Sequence, residues 1–402
     1  MKKILIKLLK FFKKEHLSKY IIQIIIFLVV LTGFMIIATE NVTSNVLGTV
    51  IGFLFSTMIL YIIKIISSRF EDMLKVNCNT AELLKIYSGD KNYRKEIVLN
   101  GTKVEVAYAE SLVNNDYKFE VIDDPNKKFE LDDFIMNNYS SIFGAHSNST
   151  KLNTETIRLD KFEKDGDVYK LYLSRSNYFN HLVTNRAADF SIFENISLRD
   201  VYEYGPLISN YEESKMSNHI GINGLVFLSD GSLLVPRRKK DSTISKNKIT
   251  SSIAVKLNPP IDGSNKVDAN HLLYQNIIDN LSIRLKIKQE DLHKEAVSVK
   301  FLGFGHSLYE AGKPQFYYAI TLNDIDTKKY YELNMDTSVL EKIDVDKCVY
   351  VADYQSYKFV KDEIWFDVAL KNGKKKKVKC KYEMSYLCNL WHYEQYLKSK
   401  KK

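Results

Sequence analysis

The chain has 402 residues, 45% of them hydrophobic and 27% charged, with a formal net charge of +9. That is enough chain for one large packed domain or two small ones. The charge is uneven: residues 1–19 contribute +6, 371–381 contribute +7 and 398–402 contribute +4, which leaves −8 on the rest. A general DNA or RNA binder spreads its cations over the folded core, so that class is set aside.

In chain order, residues 1–19 read as a basic amphipathic arm. Lys3, Lys7, Lys10 and Lys14 share one helical face, and Leu5, Leu8, Leu9 and Phe12 another. Residues 20–66 read as a two-helix transmembrane hairpin. Tyr20–Thr39 has no charge and Val46–Ile66 has one, Lys64 near its end; each is long enough to cross about 30 Å of hydrocarbon. The lysine bias predicts both chain ends in the cytoplasm, with the lipid bilayer as a partner. A cleaved signal peptide would have a shorter apolar core. Gly48, Gly52 and Ser56 give small residues at steps of four, which suits packing within the hairpin or between subunits. Four cysteines, at 78, 348, 380 and 388, have neither paired nor metal-binding spacing and fit a reducing compartment.

Residues 67–154 read as a mixed connector. It holds a helix from Phe70 to Tyr87, a hairpin over Glu96–Val106 around Asn100-Gly101, and a helix over Phe129–Tyr139. From 155 to 330 the pattern sharpens. Thr156–Asp160 and Val168–Ser174 are strands joined by Lys164-Asp165-Gly166-Asp167. Ser217–Leu228 and Leu233–Pro236 flank an Asp230-Gly231 turn, and Thr250–Leu257 is a further strand. Asp268 caps a helix from Ala269 to Lys286 whose apolar stripe is Leu273, Ile277, Ile278, Leu281 and Leu285. Val297–Phe304 and Phe316–Leu322 are strands. Residues 331–402 read as a β-rich extension, with strands at Lys347–Tyr354 and Glu363–Leu370, a lysine-rich hairpin at Lys371–Lys381 and a closing helix around Trp391, Tyr393 and Tyr396.

The order of elements over 155–330, with the phrases TNR (184–186), SNHIGINGLVFLSDGSLLVPRR (217–238) and ITSSIAVKL (249–257), resembles the Nudix fold. The predicted fold is therefore two N-terminal transmembrane helices plus an α+β Nudix-like domain, an α/β/α sandwich with added β-rich segments. Two spans fused to such a domain resemble the membrane-bound Nudix-type effectors of bacterial cyclic-oligonucleotide antiphage systems. That resemblance implies a cyclic oligonucleotide messenger as activating ligand, a homo-oligomer, and disruption of inner-membrane integrity as output. It implies no resident cofactor.

The resemblance breaks at the catalytic helix. Nudix hydrolases read roughly Arg-Glu-Leu-x-Glu-Glu-x-Gly-Ile there, and the acids hold the divalent cations. Here the apolar frame aligns at Leu281, Leu285 and Ile287, but Asp279 and Asn280 fill the Arg-Glu slots. Ile283 and Arg284 replace the acid pair, and Lys286 the glycine. A guanidinium in place of a carboxylate removes a metal ligand and adds a repelling charge. The expectation is no catalytic residue and no metal ligand. The alternative is a tethered hydrolase of nucleoside diphosphate derivatives with an unrecognised metal site.

The candidate ligand residues are Arg237, Arg238, Arg284, Asn218, His219, Asn185, Arg186 and Tyr178. The arginines suit bidentate contact with phosphate, against a solvated helix face for Arg284 and a surface turn for Arg237 and Arg238. Asn185, Asn218 and His219 either meet a base edge or satisfy strand-end backbone. Tyr178 either stacks on a base or belongs to the core.

Overall fold

A computed structural model describes residues 52–53, 55–61, 75–89, 93–113, 118–146, 152–192, 196–239, 245, 247–260, 264–285, 287–293, 295–333 and 345–401. These residues form a mixed α/β fold with 14 strands in two sheets.

The expected pair of membrane spans is corrected. Residues 20–51, 54 and 62–66 of that hairpin lie outside the described residues, as does the arm 1–19. Among the described residues no helix is long and apolar enough to cross a membrane. The longest helix among the described residues, Met384–Lys400, has 17 residues and carries Glu394, Lys398 and Lys400. A span needs about 20 predominantly apolar residues. Apolar runs suggested two spans, but the structure supports a mixed α/β fold. The two-span, inner-membrane placement and the membrane output are not carried further.

The larger sheet runs β1(Tyr93–Leu99), β2(Thr102–Val113), β9(Val297–Ser307), β10(Lys313–Leu322), β6(Gly221–Leu228), β7(Leu233–Arg238), β11(Val345–Ala352), β13(Glu363–Ala369) and β12(Lys358–Val360). In addition, β14(Lys375–Lys381) pairs with β13, and β8(Ile253–Lys256) pairs with β6. Strands from the expected connector, Nudix-like region and extension thus share one sheet. The β1–β2 turn fits its sequence: Asn100 and Gly101 both have positive φ, 48° and 74°, as a two-residue hairpin of primed type requires. The smaller sheet is β3(Lys118–Lys128), β5(Val168–Asn177) and β4(Glu155–Asp165), with β3 parallel to β5. Sequence alternation missed β3. It is mostly exposed and carries Asp123-Asp124-Pro125. Asp123 holds it, accepting from both terminal nitrogens of Arg175 at 2.6 and 2.8 Å and from Val267 N at 2.7 Å.

Apolar side chains cover both faces of the larger sheet. On one face Ile222, Val226, Phe316, Tyr318 and Ile320 pack with the helix Asn276–Leu285 and with the small sheet. The helix buries Ile277, Ile278, Leu281 and Leu285, each worth roughly 1.5–3 kcal/mol of burial. A π turn, His271–Gln275, precedes it, and Asp268 Oδ1 accepts from His271 N at 2.6 Å. On the other face Leu225, Phe227, Tyr317 and Ala319 pack against the helix Met384–Lys400.

One irregularity builds the site. β6 changes partner midway: residues 221–224 pair with β8, whereas 226 and 227 pair with β7. Beyond the switch, β7 bonds instead to the incoming chain, with Arg238 N donating to Lys248 O at 2.9 Å. Ser252 bridges the split, accepting from Val226 N at 2.9 Å and donating to Leu234 O. The starts of the parallel strands β6 and β10 and the ends of β7 and β8 therefore converge at one end of the sheet.

Candidate functional site

At that end lies a cavity of about 330 Å³, within the range of small-molecule sites. Its basic lining is Arg186, Arg238, Lys248, Lys256, Arg284 and Lys313; its acids are Glu310 and Glu383. Strand alternation sets the arrangement. Lys256 on β8 and Gln315 on β10 both pair with Gly221 on β6, so their side chains leave the same face. Lys313 lies two residues before Gln315 and Asn223 two residues after Gly221, again on that face. Met384 and Ser385, the first residues of the closing helix, form part of the wall and bring the positive end of its dipole there.

The acids are already engaged. Arg186 lies 3.2 Å and Lys313 3.6 Å from Glu310, and Arg238 lies 3.6 Å from Glu383. Burial opposes charge on Glu310, but Lys313 and Arg186 overcome it and hold the carboxyl below its usual range. Burial also lowers Lys313, against the pull of Glu310. Among the described residues Lys256 pairs with no carboxylate. Its Nζ donates to Thr154 Oγ1 at 2.6 Å and to Glu155 O at 3.1 Å, and burial pulls it down to about 8. The His181 and His219 rings lie in contact, centroids 3.7 Å apart and planes tilted by 32°. Burial drives both well below the usual imidazole value, so both are neutral at pH 7. Tyr178 closes this side, its ring 5.9 Å from Lys256 Nζ.

Of the residues singled out from sequence, Tyr178, Arg186, His219, Arg238 and Arg284 line this cavity. Asn185 and Asn218 lie behind it and bind each other: Asn185 Nδ2 donates to Asn218 Oδ1 at 3.0 Å, and Asn218 N donates to Asn185 Oδ1 at 2.9 Å. Asn185 Nδ2 also donates to Glu310 O at 2.9 Å, which fixes the turn carrying Glu310. Arg237 is not in the lining; it donates to Asn247 Oδ1 on the neighbouring loop. Sequence reading missed Lys248, Lys256, Lys313, Asn223, Gln315, His181, Glu310 and Glu383. The available signal was Lys313-x-Gln315 at the start of a strand, one face of a period-two pattern.

In the helix aligned with the Nudix catalytic helix, Asp279 Oδ1 accepts from Gln275 Nε2 at 2.9 Å and Ile283 is exposed. Among the described residues no group of three or more His, Cys, Asp or Glu side chains is arranged to hold a metal ion. The cavity's chemistry is that of an anion site: guanidinium forks, ammonium groups and a helix N-terminus around a partly apolar space. No family model matches the chain, and no curated protein matches it.

Proposed function

We propose that the chain is a nucleotide-binding sensor in bacterial antiphage defence, whose ligand is a cyclic oligonucleotide messenger. One observation carries the reading: six basic side chains against two acidic ones line a single cavity of ligand size. A cluster so unbalanced is self-repelling when empty, and an anion relieves the repulsion. The ligand phosphates meet Arg186, Arg238, Arg284, Lys248, Lys256 and Lys313, and a base stacks on Tyr178. Binding favours the liganded state by RT ln(1 + [L]/Kd), and association of copies of the chain is the means by which it is reported. Calorimetric titration of the full chain with cyclic di- and trinucleotides tests this. The expected result is saturable heat with at least one of them, together with a larger sedimentation coefficient. Silence across the panel discards the sensor.

A further inference from the structure

The floor of the cavity carries a feature that phosphate binding does not use. Asn223 and Gln315 stand on the adjacent parallel strands β6 and β10. Asn223 Nδ2 donates to Gln315 Oε1 at 2.7 Å, and both residues are at least nine-tenths buried, at 3% and 4% exposure. Gly221 makes room for the pair. A Cβ there would collide with the Gln315 amide, so the glycine lets that side chain lie flat against β6. The Gln315 amide nitrogen and the Asn223 carbonyl oxygen take no further partner among the described residues. Neither is sealed in the protein without one, and both residues line the cavity.

We infer that the Asn223–Gln315 amide pair is the base-reading element of the cavity, an inference that rests on the nucleotide-binding reading above. If both amides turn over, the roles exchange, but one donor group and one acceptor still face the ligand. An ionised phosphate offers only acceptors and leaves the outward carbonyl oxygen unmatched. A nucleobase edge offers a donor beside an acceptor and matches both. The position fits. Lys256 and Gln315 stand on opposite sides of Gly221, about 10 Å apart at the usual strand spacing, and Tyr178 lies beyond Lys256. Lys256, one strand from Gly221, and Lys313, two residues before Gln315 on the same face, hold phosphate while the amide pair meets the base edge. A buried site built for a donor and an acceptor rejects ligands that lack them, because its own groups are then left unpaired.

The test is a set of affinities for the full chain. The base-bearing probes are the four nucleoside 5′-diphosphates, cyclic di-adenosine monophosphate and cyclic di-guanosine monophosphate. The baseless probes are pyrophosphate and ribose 5-phosphate. The expected result is that the tightest base-bearing probe binds at least about tenfold better than either baseless one, and that Asn223→Leu and Gln315→Met each cut this ratio by about tenfold. Equal binding of base-bearing and baseless probes overturns the inference and leaves the anion site standing. Equal loss for both probe classes in the variants also overturns it. Should a variant fail to fold, the wild-type ratio decides alone. Binding of none of the probes overturns the nucleotide reading and this inference with it.

Discussion

Two kinds of buried cation occur in this molecule. Arg199 uses all five of its N–H donors: two go to Asp189 at 2.7 and 2.9 Å, one to Tyr87 Oη at 2.7 Å, and two to the carbonyls of Leu308 and Tyr309 at 3.0 and 3.1 Å. Arg175, fully buried, grips Asp123 with both terminal nitrogens. Arg199 is matched by one carboxylate, and Arg175 by Asp123 with Glu155 3.6 Å from its Nε; backbone carbonyls take further donors of both. The cavity lining is weighted the other way, with six cationic side chains to two carboxylates. A neutralised cation ties segments together, whereas an excess of cations stores repulsion that only an added anion removes.

Mutation should separate the two kinds. Arg199→Ala strips the partly buried Asp189 of its guanidinium partner and should cost about 3–5 kcal/mol in denaturant unfolding. Arg175→Ala should do the same through Asp123. A cost below about 1 kcal/mol at either would erase the contrast. Lys256→Met should lower nucleotide affinity by tenfold or more while unfolding changes by less than about 1 kcal/mol, because a desolvated ammonium leaves a positive cluster. Matched losses of binding and stability would make Lys256 a scaffold residue instead.

The third contrast is one of pH. Lys256 titrates near 8 in the free protein, and a bound anion favours its charged form. Binding must therefore take up a proton above that pH. Affinity should fall from pH 8 upward, by at most tenfold per unit, and Lys256→Met should flatten the profile.

A last contrast is at Glu203, which is not in the cavity lining. Burial raises its carboxyl to about 7, against hydrogen bonds from Ser209 and Ser214. Because the folded value lies above the unfolded one, near 4.5, its contribution to stability is full below pH 4.5 and is lost as pH rises to 7. Glu203→Gln should remove that slope, which thermal unfolding across this range would show.

How much of this was legible in the sequence depends on the kind of signal. The Asn100-Gly101 hairpin, the Leu281 stripe and the Asp230-Gly231 turn follow from local chemistry, and the structure has them. β3 was hidden because only Phe119 and Val121 of this mostly exposed strand pack on the core, with a buried ion pair at Asp123 beside them. Two apolar runs over 20–66 suggested membrane spans, yet the described residues contain no helix that qualifies. The site was half legible. Arg186, Arg238 and Arg284 stood out by residue type. Lys256, Lys313 and the Asn223–Gln315 pair did not, since only the parallel register of β6 and β10 and the split between β7 and β8 bring them together. Asn185 and Asn218 looked like ligand residues but spend their amides on each other and on the turn that holds Glu310.

The most direct measurement is equilibrium dialysis of labelled cyclic oligonucleotides against the full chain, beside the charge reversal Lys256→Glu. Saturable binding to the wild type, weakened about a hundredfold or more in a variant that unfolds at the same denaturant concentration, is the result expected of a cavity governed by unbalanced positive charge. Undiminished binding by Lys256→Glu, or none by the wild type, would contradict it.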